Sequence, residues 1–355
     1  MGSKFLDEEN DQELPYESGR FFNVAFHHLQ KEVSSDKASS DNQDDTPSSP
    51  SSDIHYGFPD SDVQFSDPQQ SNQWYLSDGW GINADQVWPD YTGQGINIGI
   101  LDDGFDFNHS DLSNSFDPNA SLHYDITNNN NNVQYESGDY HGTNVAGVIG
   151  AENNGTGIVG IAHNSNLYGY QFGGGIGSNL ANLINNYVTP NADVFNNSWG
   201  FINTFVDNFN EGWSFLENSI INAVDNGRNG LGTNIVFSAG NDRADGNDVN
   251  HSGLTNSPYT ISVAAHHEFG SHTSFSTEGA ALMVSGPGQN ILTTDNSGSA
   301  GSASGDYYTT AGTSYSAPAV SAVIGLMLEA NSDLGYRDVQ EILALSSRQI
   351  NSGDG

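Results

Sequence analysis

The sequence predicts an α/β fold, a mostly parallel sheet with helices on both faces. From about residue 96 onward, short apolar runs of strand length alternate with segments of helical spacing. The strand ends run into Gly- and Asp-rich turns, which is where folds of this kind carry their chemistry. In order, INIGIL at 96–101 is a buried strand, opened by Gly93 and Gly95 and closed by Asp102-Asp103-Gly104. HGTNVAGVIGA at 141–151 has helical spacing in small residues, as for a helix packed close to a neighbour. A short strand follows at 193–195, then an amphipathic helix at 215–226 that stops at Gly227. Strands are expected at 234–237 and 259–264, a long apolar helix at 314–330 and a last helix at 339–345.

Upstream of this alternation the pattern is lost. SSDNQDDTPSSPSSD at 39–53 has almost nothing to bury and reads as a linker, and FFNVAFHHL at 21–29 is an isolated apolar cluster. Residues 1–57 are therefore expected to be an acidic, largely disordered leader, and 58–355 the globular domain. MGSKFLDEEN lacks the basic start and apolar stretch of a secretory signal.

Composition excludes several functions. Lys+Arg is 8 against Asp+Glu 44, a net charge of −36, and there is no Lys or Arg between Lys37 and Arg228. Nucleic-acid binding needs the cations that are missing, and anionic membrane surfaces are disfavoured for the same reason. With no Cys there is no disulfide, thiolate nucleophile, thiolate zinc site or iron–sulfur cluster. No apolar run approaches the ~20 residues of a membrane span.

Three turns carry chemistry together. Asp102 closes a strand, His141 opens a helix with Gly142 and Thr143, and Ser314 stands in GTSYSAP at another helix start. Acid, imidazole and hydroxyl are the parts of a nucleophilic hydrolase, and the order Asp, His, Ser is one of several that assemble the same geometry. Each alone is weak, since an Asp or Ser before a helix is usually a cap.

ILDDGFDFNHSDL at 100–112, HGTNVAGVIG at 141–150 and GTSYSAP at 312–318 resemble the subtilisin-like serine proteases. SDPQQSNQWYL at 66–76 and YRDVQEILALSSRQI at 336–350 resemble the furin and kexin branch. The resemblance implies the three-layer subtilisin-like fold and a serine endopeptidase that acts on protein or peptide substrates through an acyl-enzyme. It makes Ser314 the nucleophile, His141 the general base and acid, Asp102 the residue that orients it, and Asn241 the side-chain donor to the oxyanion. Asp103, Gly173, Gly174, Gly175, Ser198, Trp199 and Gly200 fall at substrate-binding positions. A structural calcium is implied, with side-chain ligands Asp67, Asp111 and Asn154 and carbonyls near Glu152, Thr156 and Ile158. The rival readings are a catalytically impaired member of the fold and a calcium-binding interaction protein.

Specificity departs from the branch. Ser252 stands where a pocket-floor Asp is expected, and Phe201-Ile202-Asn203 where an acid should follow Ser198-Trp199-Gly200. The expectation is a weakened preference for Arg, unless Asp245 or Asp248 reaches the pocket. Asn247 and Glu278 fall at positions of a second, pocket-side calcium. His266, His267, Glu268 and His272 fit no metal spacing and read as surface polar residues. The remaining expectations are a monomer, a location outside the cell or on its surface without an N-terminal signal, and a chain truncated before the domain's usual end.

Overall fold

The computed structural model describes residues 67–350, apart from 78, 174–176, 202 and 211. The leader and linker at 1–57 and the cluster at 21–29 lie outside the described residues, as do Gly174 and Gly175.

Seven strands form one parallel sheet: β1 Asn97–Asp102, β2 Tyr124–Asp125, β3 Asn166–Gln171, β4 Val194–Asn197, β5 Asn234–Ser238, β6 Thr260–His266 and β7 Val284–Pro287. Their spatial order is β2-β3-β1-β4-β5-β6-β7. In register, Asp102 pairs with Gln171 and Leu101 with Asn197, so β1, β3 and β4 end at one edge of the sheet. Ile98, Ile100 and Leu101 are fully buried, as expected of a strand covered on both faces.

The helices are α1 His141–Gly150, α2 Gly177–Leu183, α3 Ser214–Asn226, α4 Thr313–Ala330 and α5 Tyr336–Ser346. On one face, Val145, Val148 and Ile149 of α1 share a core with Val320, Val323 and Ile324 of α4 and with Ile98, Val236 and Val263 of the sheet. On the other, Leu180 and Leu183 of α2 and Leu216, Ile220 and Val224 of α3 pack with Leu101, Phe195 and Ile235. The three layers follow from these two cores. An antiparallel hairpin, β8 Ile291–Thr294 and β9 Tyr307–Thr310, lies outside the sheet. Its Thr293 and Thr294 hydroxyls donate to the carbonyls of Asn144 and Thr143 at 2.6 and 2.7 Å, which ties it to the first turn of α1.

Each strand and helix expected from the sequence is present, with ends moved by at most three residues. The elements not anticipated are β2, β3, α2, β7 and the hairpin.

Candidate active site

Three chain segments converge at the carboxyl edge of the central strands. Asp102 is the last residue of β1, His141 the first of α1, and Ser314 lies in the first turn of α4. His141 Nδ1 is 2.8 Å from Asp102 Oδ1, which also accepts the N–H of Asp103 at 2.9 Å. A Cβ at Gly142 would collide with the Gly104 carbonyl, so a glycine after His141 lets α1 abut the end of β1.

Ser314 is held by its own backbone. Pro318, four residues on, has no N–H to give the Ser314 carbonyl. Ser198 Oγ donates to that carbonyl instead, at 2.8 Å, and is itself fixed by Asn196 Nδ2 at 2.9 Å. In return, Ser314 Oγ donates its single proton to the Ser198 carbonyl at 3.1 Å, not to His141. Gly312 before it has φ 153°, a conformation available essentially to glycine alone.

Asn241 reaches the same place from the end of β5. Its Oδ1 accepts both the N–H of Thr313 at 2.9 Å and the Thr313 hydroxyl at 3.0 Å. A backbone N–H can only donate, so this fixes which side of the amide is oxygen. The amide nitrogen is then left beside Gly312 and the Ser314 turn. Thr313 was not singled out in the sequence, although its place next to Ser314 was a usable signal.

Asp103 was expected to line a neighbouring subsite. Its carboxylate accepts three backbone N–H groups at the start of α1: Tyr140 at 3.2 Å, His141 at 3.1 Å and Gly142 at 2.7 Å. Burial, with the charge of Asp102, raises the Asp103 carboxyl to about 7 against the pull of those N–H groups. Burial alone would lower the His141 imidazole, but the charge and hydrogen bond of Asp102, with the charge of Asp103, carry it up to about 9. An imidazolium at this position is therefore well supported.

Beside Ser314 opens a cavity of about 210 Å³, lined by Ser198, Trp199, Gly200, Asn203, Asn241, Asn247, Asp248 and Ser252 among others. Trp199 forms one wall, its ring edge-on to Phe172, Phe201 and Phe237. Asp248 lines the cavity, whereas Asp245 is exposed and does not. Glu278 pairs with Arg243 at 2.9 Å. Gly173 is exposed and its N–H donates to Thr127 Oγ1. Ser252 Oγ donates at 2.6 Å to a buried acid the sequence reading did not mark, Asp207. Its only sequence signal was to be a lone carboxylate amid Phe205, Val206 and Phe209.

The residues expected to hold calcium come together in part. Asp67 Oδ1 accepts the N–H groups of Asn154, Gly155 and Thr156, and Asp111 Oδ2 accepts that of Ile158. Asp67 Oδ2 and Asp111 Oδ1 are buried without a well-formed hydrogen bond among the described residues, with the Tyr307 hydroxyl close to the Asp111 carboxylate. Burial raises Asp67, opposed by its N–H donors. Burial likewise raises Asp111, to about 6, with the Asp67 charge adding to it. Two buried, mutually repelling carboxylates with oxygens to spare fit a hard divalent cation. The other groups are engaged: Asn154 Oδ1 accepts from Thr156 N–H, and the Glu152 carboxylate accepts from Asn114. Of the His cluster, His266 is fixed by Ser285 and the Trp80 carbonyl, His267 accepts from Phe269 N–H, and Glu268 accepts from Asn290.

A profile of the subtilase family matches residues 93–354. Protease KEX1 of Kluyveromyces lactis is 34% identical over 303 residues, covering 82% of this chain and 39% of that protein. Human furin is 32% identical over 307 residues, covering 81% of this chain and 37% of furin. The chain thus spans under half the length of these relatives. Among solved structures, an Aeromonas sobria serine protease in complex with a chaperone superposes with a TM-score of 0.72 at 22% identity, over 81% of this chain and 58% of that one, a likeness of fold. A Pseudoalteromonas arctica protease gives 0.67 at 25% identity, over 80% and 93%. The sheet order, the converging Asp, His and Ser and these matches agree: the chain belongs to the subtilase family.

Proposed function

We propose that the protein is a serine endopeptidase acting on protein or peptide substrates. The observation that carries this is the 2.8 Å contact of His141 Nδ1 with Asp102 beside a Ser314 held at a helix start. Ser314 Oγ forms a bond to the peptide carbonyl carbon while its proton passes to His141 Nε2. The C–N bond then breaks, and the same proton goes to the leaving amine. Water hydrolyses the acyl-enzyme by the same route. Ser314 must first turn from the Ser198 carbonyl toward His141, as hydroxyls in ligand-free sites commonly do. Asp102 supports the imidazolium that forms, and Asn241, locked by Thr313, offers its amide N–H to the developing oxyanion.

Gly173 and the Ser198-Trp199-Gly200 segment present backbone to an extended substrate. A structural calcium would be held by Asp67 and Asp111, with carbonyls of the 152–158 loop, and would supply charge neutralisation there. Catalysis itself needs no step at that site. A fluorophosphonate probe tests the reading: it should label wild type and not Ser314→Ala. An unlabelled, folded wild type would refute it.

A further inference from the structure

The residue after Ser314 in GTSYSAP is a tyrosine, and no step of the acyl transfer uses it. One residue along α4 the helix has turned by about 100°, so Tyr315 faces a different neighbour from the nucleophile. That neighbour is the base. The ring centroids of Tyr315 and His141 are 5.7 Å apart, with their planes tilted by 51°.

Tyr315 is buried and shares a core with Val145 and Val148 of α1. It is fixed at three places. Its N–H donates to the Gly312 carbonyl at 3.1 Å. Its ring lies against Gly312, where an added Cβ would stand 3.6 Å from it. Its hydroxyl is hydrogen-bonded to the side chain of Thr310, the last residue of β9. The other strand of that hairpin clasps the first turn of α1. The ring is therefore braced from the hairpin and from α4 where it meets the imidazole.

Asp102 grips His141 at Nδ1. A bond at one nitrogen sets where the imidazole stands and leaves its tilt to whatever packs on its face. Proton transfer needs Nε2 turned to Ser314 Oγ, so the tilt governs how well the base works. Charge is affected too. A cation within about 6 Å of an aromatic centroid is drawn to the π face, an attraction equal to about half a pKa unit where water has access. Burial raises the Tyr315 phenol well above its usual range, so the ring stays neutral and acts through its π cloud. The other titratable groups facing the pair are Asp102 at the end of β1, Asp103 after it, Tyr140 before α1 and Tyr308 in β9.

We infer that Tyr315 is a positioning residue for the general base: its ring holds the His141 imidazole in the tilt that faces Ser314 and favours the imidazolium formed in each proton transfer. This deepens the endopeptidase reading and rests on it.

Three replacements test it. Tyr315→Phe keeps the ring, Tyr315→Leu removes it, and a trifluorinated phenylalanine at position 315 keeps the ring's shape while withdrawing its π charge. Each is compared with wild type in kcat and KM across pH, on a peptide without ionisable side chains, and in its melting curve. Tyr315→Phe should keep kcat to within about threefold, since it loses only the bond to Thr310. Tyr315→Leu should lose about tenfold or more in kcat with KM within about twofold. Its acid limb should lie about half a unit below that of Tyr315→Phe. The fluorinated variant should show the same shift of the limb, and it decides the matter if Tyr315→Leu does not melt cooperatively. A Tyr315→Leu protein that melts lower yet keeps kcat and the limb would overturn the inference, because a ring that only fills the core would do just that. An effect confined to KM, or an unmoved limb in the fluorinated variant, would overturn it as well. In each of these cases a wild type that takes the fluorophosphonate label on Ser314 leaves the endopeptidase reading standing. A folded wild type that takes no label removes both.

Discussion

Neutralising Asp103 separates two effects that the structure combines in one side chain. Its carboxylate closes three N–H groups of α1 and also adds charge beside His141. At the ~4–6 Å over which a neighbouring charge shifts a pKa, Coulomb's law at an effective dielectric of about 20 gives about 3–4 kcal/mol. Because Asp103 is half-buried, solvent and salt should reduce this to about 1 kcal/mol, or just under one pKa unit at His141. In Asp103→Asn the acid limb of kcat/KM against pH should therefore move from about 9 toward neutrality. The direction follows because removing a negative charge destabilises imidazolium, so the working neutral base appears at lower pH. Below about 7 wild-type Asp103 takes up its own proton, and the two profiles should converge there. The capping loss is a separate readout. An Asn amide meets at least one N–H donor with its own donor, at about 1 kcal/mol and a fall of roughly 2–4 °C in melting temperature. A pH–rate series on a neutral peptide, with a melting curve for each protein, checks both. An unmoved limb with only the melting point lowered would refute the electrostatic part and leave Asp103 a cap.

Ser314→Ala should lose turnover while melting as wild type does, because its hydroxyl bonds only a carbonyl that can turn to water; residual activity in a clean preparation would contradict the assigned nucleophile. Asn241→Ala should cost about 10²–10³-fold in kcat, the loss known for a single side-chain oxyanion donor in a bacterial subtilisin. Thr313→Val, which removes the hydroxyl that anchors Asn241 and accepts the Gly240 N–H, should cost less and in kcat, not KM; a pure KM effect would show that Thr313 serves binding. Calcium should raise the melting temperature, and more at pH 7.5 than at pH 5, because Asp111 is held up to about 6 by burial and sheds its proton across that interval. The sign is that of a raised carboxylate: without the ion, stability falls as pH rises from about 4 through about 6. Asp111→Asn should flatten both dependences, and a melting curve indifferent to chelator would exclude the site.

What the sequence made legible was local. β1, β5 and β6 carry Ile and Val at buried positions, and α4 is buried along nearly its whole length, so composition, length and flanking glycines were enough. β3 was hidden because its NLYGYQ has no Ile or Val and fills its buried positions with Leu, Tyr, Gly and Gln, and the hairpin because half of its buried strand is threonine. The same divide runs through the site. Asp102, His141 and Ser314 each sit in a turn with its own glycine signature, and could be read one at a time. The pairing of Asp207 with Ser252, and of Asp103 with a helix start 37 to 39 residues later, depends on tertiary contacts that no window of sequence contains.

The hairpin that clasps the first turn of α1 also bears on how the molecule comes into being. Thr293 and Thr294 secure Asn144 and Thr143 across about 150 residues of chain, and Ser314 comes later still. Parallel strands already require long crossovers, so contacts of this span form late and slowly. During synthesis the strand that carries Asp102 and the helix that carries His141 would emerge well before the segments that hold them in place. A nascent chain would then have an acid and a base but no nucleophile opposite them. Its reactivity would arrive abruptly, with the folding of its last third, and not grow by degrees.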